Sequence, residues 1–341
     1  MAQETRTALV TGSAGFIGYH ISARLLADGF KVIGFDGISD YYDVHLKHRR
    51  HQMLSQSPGF HAVEGLLETD GLLMDLVSEH KPDVVIHLAA QAGVRWSIEN
   101  PRAYVDSNLI GTFNMLEAVR ANPCAHLLMA STSSIYGANT DMPYAETDKV
   151  DTQMSFYAAT KKANEAMAHS YAHLYDLPTT MFRFFTVYGP WGRPDMAPIK
   201  FTKRIVAGDP IDIYNHGDMR RDFTYIDDLV EGIRLLVDTP PVRPATKDEI
   251  AKGDSLSPVA PWRAVNIGNG EPIQLMDFIK AIENALGIEA KKNFMDMQPG
   301  DVPATWASND LLKTLTGYTP KTDVRTGVQK FIAWYRDYYQ V

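Results

Sequence analysis

Short apolar runs alternate with helix-length segments through the first half of this 341-residue chain. The runs occupy residues 7–11, 31–35, 83–88, 125–130 and 179–184. Continuous apolar runs of this length are typical of strands that are buried on both faces, because helices cover both sides of a parallel sheet. The alternation therefore predicts an α/β fold with a doubly wound parallel sheet.

A glycine-rich segment, GSAGFIG, separates the first strand from a helix predicted over residues 16–27. Gly12, Gly15 and Gly18 at such a turn let the backbone approach a pyrophosphate at the helix N-terminus. Asp36 ends the next strand, where a carboxylate is expected to bond a ribose 2′-hydroxyl and to repel a 2′-phosphate. A tight structural turn explains many glycine triplets, but strand, turn, helix and acid together predict a Rossmann-like site that favours NAD over NADP.

Tyr157 and Lys161 stand four residues apart near the start of a helix predicted over residues 156–175. This spacing places both side chains on one helical face, where the lysine cation would lower the pKa of the phenol. Lowering a phenol pKa from about 10 to neutrality takes about 3 units, or roughly 4 kcal/mol. A phenolate beside a nicotinamide could take a hydroxyl proton while the ring takes a hydride. The alternative is a packing helix with both polar side chains in solvent.

Four hydroxyl residues, Ser131, Thr132, Ser133 and Ser134, follow a buried strand. They are expected at the carboxyl edge of the sheet, where ligands of such sheets bind. Their hydroxyls could bond a sugar or a carboxylate, or could cap a turn. The spacing of His, Asp and Glu residues suggests no metal site.

The net charge of −8 argues against a general nucleic-acid or anionic-membrane binder. Six basic residues nevertheless fall within one short stretch: Arg193, Lys200, Lys203, Arg204, Arg220 and Arg221. Such a cluster in an acidic protein indicates a local anion site, although a solvated charged face is the alternative for any single residue.

The one cysteine, Cys124, excludes a disulfide framework and is interpreted as structural. The N-terminal sequence MAQET lacks the features of a signal peptide, and no apolar run approaches a membrane span. These features predict a cytoplasmic protein.

The Tyr157 helix has a face of small residues that could pack on a partner helix: Ala163, Ala166, Ala168 and Ala172. We therefore expect a homodimer.

Four longer segments complete the pattern: AQAGVR at 90–95, FTVYGPWGRPDM at 185–196, YNHGDMRRDFTY at 214–225 and QPGDVPAT at 298–305. With the motifs above, they resemble the extended short-chain dehydrogenase/reductases, and among these the UDP-glucuronate 4-epimerases. The resemblance covers nearly the whole chain. It implies an NAD-binding Rossmann domain at residues 1–187, to which residues 222–268 return, and a smaller C-terminal α/β domain at residues 188–221 and 269–341 that binds the UDP-sugar.

The resemblance also implies roles for single residues. Tyr157 would be the base, Lys161 would lower its pKa, and Thr132 would bond the 4-hydroxyl. The implied NAD contacts are Gly12, Gly15, Phe16, Ile17, Gly18, Asp36, Leu88, Ala89, Ala90, Gln91, Asn108, Ser131, Tyr157 and Lys161. The implied substrate contacts are Thr132, Ser133, Ser134, Thr186, Arg193, Lys200, Tyr214, Arg221 and Asp301. Two departures are Gly37, where the family usually has Asn, and Gly65, where an acid is expected to hold adenine.

The same resemblance favours one reaction. Related decarboxylases carry Glu at the position of Ser134, and dehydratases carry an Asp-Glu pair at the positions of Ser133 and Ser134, so the acids for those reactions are missing. The expected reaction interconverts UDP-glucuronate and UDP-galacturonate by transient oxidation at carbon 4 with tightly bound NAD. A UDP-glucose or UDP-N-acetylglucosamine 4-epimerase, a UDP-glucuronate decarboxylase and a non-catalytic NAD-binding sensor remain alternatives. Arg193 and Thr186 argue against the neutral sugar, and the intact Tyr157–Lys161 pair argues against the sensor.

Overall fold

The computed structural model describes residues 5–298 and 301–341. Its strands are β1 (Thr7–Thr11), β2 (Lys31–Asp36), β3 (Phe60–Glu64), β4 (Val84–His87), β5 (His126–Thr132), β6 (Thr179–Phe184), β7 (Thr186–Tyr188), β8 (Ile211–Ile213), β9 (Arg220–Tyr225), β10 (Trp262–Ile267), β11 (Pro272–Gln274), β12 (Lys292–Phe294) and β13 (Ala304–Thr305). Seven of them form a parallel sheet in the order β10-β6-β5-β4-β1-β2-β3. This arrangement confirms the doubly wound sheet, with the order of a dinucleotide-binding fold extended by a seventh strand.

Helices cover both faces of this sheet, and others pack with the smaller sheets. Together they are α1 (Phe16–Ala27), α2 (Val44–Leu54), α3 (Leu72–His80), α4 (Trp96–Glu99), α5 (Pro101–Tyr104), α6 (Gly111–Ala121), α7 (Phe156–Tyr175), α8 (Ala197–Ala207), α9 (Ile226–Val237), α10 (Leu275–Leu286), α11 (Asp310–Thr316) and α12 (Val324–Tyr339). Of this set, α8, α10 and α12 pack with strands of the smaller sheets. A π-helix spans Val105–Ile110, and 3₁₀ turns span Ser133–Tyr136, Tyr214–Gly217 and Lys247–Glu249.

Strand side chains alternate between two apolar cores. Val10 and Ile86 pack in the core that contains residues of α1 and α9, whereas Leu9 and Val85 pack in the core that contains residues of α3, α6 and α7. This period of two in buried strands explains why their sequences are apolar at every position.

The two helices predicted from the sequence have the predicted bounds, Phe16–Ala27 and Phe156–Tyr175. α7 begins where the Ser155 side chain accepts a hydrogen bond from the Ala158 amide at 3.1 Å. Edge strand β3 was not predicted, because its half-exposed sequence FHAVE lacks a continuous apolar run.

The smaller sheets are built from distant parts of the chain. β9 pairs with β7 and β13 in parallel and with β11 in antiparallel orientation, and β8 pairs with β12. The domain boundaries expected at 187/188 and 221/222 fall inside β7 and β9, which pair with each other, and the division into domains stays a prediction. β10 returns to the large sheet as expected, beside β6.

The proline-rich segment 239–261 is anchored on the end of α7. Arg243 Nη2 donates to the His173 carbonyl at 2.8 Å, and its Nε pairs with Asp176 at 3.0 Å. Within the described ranges, no helix is both long and apolar enough to cross a bilayer. The expected absence of a signal peptide concerns residues 1–4, which lie outside the described residues, as do Pro299 and Gly300 of the QPGDVPAT segment.

Candidate active site

One cavity of about 1360 Å³ lies at the carboxyl ends of the central strands. Its volume exceeds the range of about 300–1,000 Å³ that is usual for a site holding one small molecule. It is lined by Gly12, Gly15, Phe16, Ile17, Gly18, Asp36, Leu88, Ala89, Ala90, Gln91, Ser131, Thr132, Ser133, Ser134, Tyr157, Lys161, Thr186, Arg193, Lys200, Tyr214, Arg221 and Asp301. The fold thus brings together every residue predicted for the site except Asn108.

The glycine turn forms a cradle that side chains would fill. A Cβ on Gly18 would lie 1.9 Å from the Gly12 carbonyl oxygen, and Gly12 has a φ of +75°. α1 begins directly after Gly15 without a side-chain cap, so its first amides remain available to an anion. Asp36 accepts a hydrogen bond from the Ala14 amide at 2.9 Å, which ties the turn to the end of β2. This geometry fits the pyrophosphate and ribose of a dinucleotide.

The two glycine departures lie in the adjoining wall. A Cβ on Gly65 would lie 2.4 Å from Leu72 Cδ2, and a Cβ on Gly37 would lie 2.9 Å from Leu66 Cδ2. An acid at position 65 would therefore require repacking of apolar side chains. Glu68, three residues later, lines the cavity in this chain.

Asn108 supports the wall from behind and does not line it. It is 1% exposed, and its amide accepts from the Gln91 backbone N–H at 2.8 Å and donates to the Gln91 carbonyl at 3.0 Å. The amide matches both backbone groups of Gln91 and is used there, so a contact of Asn108 with the cofactor stays a prediction. Tyr104 holds the same loop, donating to the Ala92 and Gly93 carbonyls at 3.1 and 2.5 Å.

Tyr157 and Lys161 lie on one face of α7 and both line the cavity. Burial raises the pKa of Tyr157, and the neighbouring Thr132 hydroxyl and Arg193 act against this shift. Burial lowers the pKa of Lys161 to about 8, with the negative charge of Glu165 opposing. The predicted lowering of the Tyr157 pKa is therefore not found in the protein alone. Lys161 still carries a proton at neutral pH, as a cation that stabilises a phenolate must.

A buried ion pair lies one helical turn beyond Lys161. Glu165 accepts from Arg183 Nε and Nη2, each at 3.0 Å, and from the Ser131 hydroxyl at 2.7 Å. The side chains of Arg183 and Glu165 are 4% and 2% exposed. Because Arg183 is on β6 and Ser131 on β5, this pair fixes α7 against two central strands.

The hydroxyl run divides into two roles. The Ser131 hydroxyl donates to the buried Glu165 carboxylate, and the residue also lines the cavity, so its contact with the cofactor stays a prediction. Thr132 accepts from the Ser134 amide at 3.2 Å and caps the 3₁₀ turn that carries Ser133 and Ser134. This turn presents the last three residues of the run to the cavity.

Arg193 is paired within the protein. Its Nη2 and Nε meet the two carboxylate oxygens of Asp195 at 2.5 and 3.1 Å, and the Tyr41 hydroxyl donates to the same carboxylate at 3.3 Å. Burial opposes the charge on Arg193, but the Asp195 carboxylate outweighs it and raises the pKa of the guanidinium. Nη1 makes no hydrogen bond to any residue of the described part, so one edge of the fork remains available to a ligand.

The opposite end of the cavity carries a second set of charges. Arg221 donates to the carbonyls of Val302 at 2.7 Å and Pro303 at 3.1 Å. Asp301 lies 3.5 Å from Arg95, whose guanidinium also lies 4.8 Å from the centre of the Tyr214 ring. In residues 5–298 and 301–341, no group of three or more His, Cys, Asp or Glu side chains is arranged to hold a metal ion.

Residues 8–247 match the model of the NAD dependent epimerase/dehydratase family. The chain belongs to this family. It is 55% identical over 332 residues to a probable UDP-glucuronate 4-epimerase of Rhizobium meliloti, covering 97% of both chains. It is 48% identical to UDP-glucuronate 4-epimerase 4 of Arabidopsis thaliana, covering 98% of this chain and 76% of that one. Its fold is similar to that of the UDP-glucuronic acid 4-epimerase from Bacillus cereus, with a TM-score of 0.86, 31% identity, and coverage of 98% and 100%.

Four residues of this NAD-dependent epimerase/dehydratase were not singled out from the sequence. They are Arg50, Tyr104, Glu165 and Asp195. Glu165 could have been found, since it stands four residues after Lys161 and so continues the face of Tyr157 and Lys161. The contacts of Arg50 and Tyr104 depend on how separate segments meet, and that of Asp195 with Arg193 depends on the conformation of one loop, so no sequence spacing indicates them.

Proposed function

We propose that this protein is a UDP-glucuronate 4-epimerase that works with tightly bound NAD. The observation that carries the proposal is that one cavity contains the Tyr157–Lys161 pair, the Ser133–Ser134 hydroxyls and the Arg193 fork. The Tyr157–Lys161 pair suits removal of a hydroxyl proton, and the two serine hydroxyls and the Arg193 guanidinium suit binding of a sugar carboxylate. The names of the relatives support this proposal, and so does the Bacillus cereus structure, which was solved with UDP-glucuronic acid and NAD.

The chain's own residues would handle the proton at the 4-hydroxyl. Tyr157 would accept it, Thr132 would orient the hydroxyl, and Lys161 would stabilise the phenolate. The glycine turn and Asp36 would hold NAD, which would supply reversible hydride transfer at carbon 4. No net oxidation results, because the sugar ketone is reduced again before release.

The carboxylate would have to stay out of line with the ketone's π system, since a β-keto acid can lose carbon dioxide. Ser133, Ser134 and Thr186 would hold it with neutral hydroxyls, and Arg193 would add a charge-assisted hydrogen bond. The serines at positions 133 and 134 add no acid or base that would favour elimination.

The seven-stranded sheet and the four-stranded sheet would each help to bind a different ligand. The seven-stranded sheet would hold the dinucleotide, and the unit that contains β9 and β13 would hold the UDP group through Arg221 and Asp301. The basic side chain of Lys200 on α8 lines the same cavity and would face the diphosphate.

Incubation with UDP-glucuronate, followed by chromatographic separation of the nucleotide sugars, tests the reaction. The expected product is UDP-galacturonate, formed without added NAD and without net NADH. UDP-glucose serves as the neutral control. Preferential turnover of UDP-glucose would favour the hexose epimerase, UDP-xylose as the main product would favour the decarboxylase, and bound NAD without turnover would favour the sensor.

We also propose a homodimer formed by α6 and α7. Exposed apolar residues gather on these helices and their flanks: Ile110, Phe113, Phe156, Leu174 and Tyr175. The predicted alanine face needs correction, because Ala168 and Ala172 pack inside the subunit, whereas Ala166 is exposed. A second copy would cover the outer face.

Light scattering at micromolar concentration tests this interface. Phe113→Glu should yield a monomer, because it places a charge in the apolar contact. Phe294→Glu is the matched control, since Phe113 and Phe294 are 47% and 49% exposed and Phe294 lies on β12. A monomeric wild type would contradict the proposal. The cytoplasmic location stays a prediction, which cell fractionation would test. The one cysteine, Cys124, is buried, and burial raises the pKa of its thiol to about 12.

A further inference from the structure

Arg50 on α2 is a fully buried arginine that joins two separate walls of the site. Its guanidinium donates to four groups on three segments: the Ala14 carbonyl at 2.8 Å, the Tyr42 hydroxyl at 3.0 Å, and the Trp191 and Gly192 carbonyls at 2.5 and 3.1 Å. Ala14 belongs to the glycine turn, and Gly192 directly precedes Arg193. One side chain therefore bridges the turn that fits the dinucleotide and the loop that presents Arg193.

The charge of Arg50 has no acidic partner within residues 5–298 and 301–341. All four of its hydrogen-bond acceptors are neutral, and it takes part in none of the ion pairs of that part of the chain. A buried cation without a counter-charge is unfavourable. The glycine turn in contact with Arg50 is the part of the cavity suited to a pyrophosphate, whose negative charge would supply the compensation.

A second contact from α2 supports the same turn. His51 Nε2 lies 2.8 Å from the Ser13 hydroxyl, so adjacent residues of α2 hold adjacent residues of the turn. Trp191 and Gly192 do not line the cavity, although Arg193 does. Any effect of a dinucleotide on these two residues must therefore pass through the protein. Arg50 links the turn itself to their carbonyls by hydrogen bonds, whereas α1 meets this loop through the Tyr19 ring, 6.0 Å from the Trp191 ring, and through His20 at the Pro190 carbonyl.

We infer that Arg50 is a positioning residue that couples dinucleotide binding to the placement of Arg193. With the dinucleotide bound, the turn is fixed, and the fork of Arg50 fixes the backbone at Trp191 and Gly192. The cofactor half of this inference rests on the glycine turn, and only the identity of the sugar rests on the proposed function.

Substitution of Arg50 tests the coupling through NAD affinity. Arg50→Met should weaken NAD binding, measured by calorimetry on protein stripped of cofactor, at least about 10-fold, which corresponds to about 1.4 kcal/mol. It should also raise the KM for UDP-glucuronate more than that for UDP-glucose. Arg49→Met is the matched control, because Arg49 is exposed on the same helix and contacts Gln52. Unchanged NAD affinity in Arg50→Met would overturn the inference.

Hydrogen exchange on the wild-type protein provides a test that needs no variant to fold. NAD alone should slow amide exchange at Trp191 and Gly192 as well as in residues 12–18. Arg50→Lys, which keeps the charge but loses the fork, should retain protection of the turn and lose that of Trp191 and Gly192. Protection of the turn alone in the wild type would refute the coupling. If UDP-glucuronate is not turned over, the proposed function fails while this exchange result still decides the role of Arg50.

Discussion

The Tyr157 end and the nucleotide-sugar end of the cavity hold their charges in different ways. Behind Tyr157, the Glu165–Arg183 pair is almost fully enclosed. Among the groups that would recognise the ligand, the side chains of Arg193 and Asp195 are each 21% exposed, and those of Arg95 and Asp301 at the far end are 51% and 27% exposed. The end that would perform the reaction is preorganised by helix and strands, whereas the end that would recognise the ligand consists of loops whose charges already have partners. A ligand there would add its own groups to side chains that already have partners in the protein.

The enclosed pair should give the largest effect. Glu165→Gln should lower the free energy of unfolding by about 3–5 kcal/mol, because it leaves Arg183 buried without its partner charge. Asp176→Asn breaks the exposed pair with Arg243 and should change the free energy of unfolding by less than about 1 kcal/mol. Chemical denaturation measures both. A similarly small loss in Glu165→Gln would show that the enclosed pair does not stabilise the Tyr157 end of the site.

Tyr157→Phe should reduce turnover of UDP-glucuronate at least about 100-fold, as expected for loss of a general base. Substrate binding should persist, because the variant keeps an aromatic ring at position 157 beside Tyr104, where the ring centres are 6.1 Å apart in the wild type. Steady-state rates together with calorimetric affinity separate the two effects. Near-normal turnover would exclude Tyr157 from the reaction.

Lys161 links function to pH-dependent stability. Its pKa falls from 10.5 to about 8 on folding, so the folded protein binds the proton more weakly than the unfolded chain. This group therefore destabilises the fold below pH 8, and the penalty disappears as the pH rises from about 8 to 10.5. Lys161→Met should stabilise the cofactor-free protein at pH 7 by about 1–3 kcal/mol, and this gain should vanish near pH 10.5. A gain that does not depend on pH would show that packing, and not charge, is responsible.

Arg193→Ala examines the recognition end. The variant should raise the KM for UDP-glucuronate about 10-fold more than the KM for UDP-glucose, because only the acid forms a charge-assisted bond with the fork. Decarboxylation to a pentose product should also increase, since the carboxylate would be free to rotate. Equal changes for both sugars would place Arg193 at the diphosphate.

Arg95→Gln should have the smallest effect. Its contact with Asp301 is long and half exposed, so the free energy of unfolding should change by less than about 1 kcal/mol. Thermal denaturation in low and high salt measures this. A loss well above 1 kcal/mol would show that this pair holds the segment before α4 against the segment before β13, and it would weaken the contrast between the two ends.

The same contrast explains which features could be predicted from the sequence. α1, α7 and the central strands follow from local patterns of apolar and small residues, and their carboxyl ends converge on one edge of the sheet by topology alone. Gly12, Asp36, Thr132, Tyr157 and Lys161 were therefore brought together as expected.

Side-chain direction was less predictable. Ser131 turns its hydroxyl to Glu165, and Asn108 gives its amide to Gln91, because buried partners satisfy both groups. Arg193 was expected near the sugar acid, and its pairing with Asp195, two residues along the same loop, was not predicted. Loop conformation decides such contacts, and no periodic pattern encodes it.

The position of β10 has a consequence for synthesis of the chain. This strand completes the large sheet beside β6, yet it leaves the ribosome only after the chain has passed through β7, β8 and β9. Until residue 267 has emerged, β6 is an open edge with unpaired backbone groups, which is a template for aggregation. A fragment that stops near residue 190 would keep that edge permanently. The cofactor-binding half should therefore express poorly on its own, despite containing almost every motif of its fold.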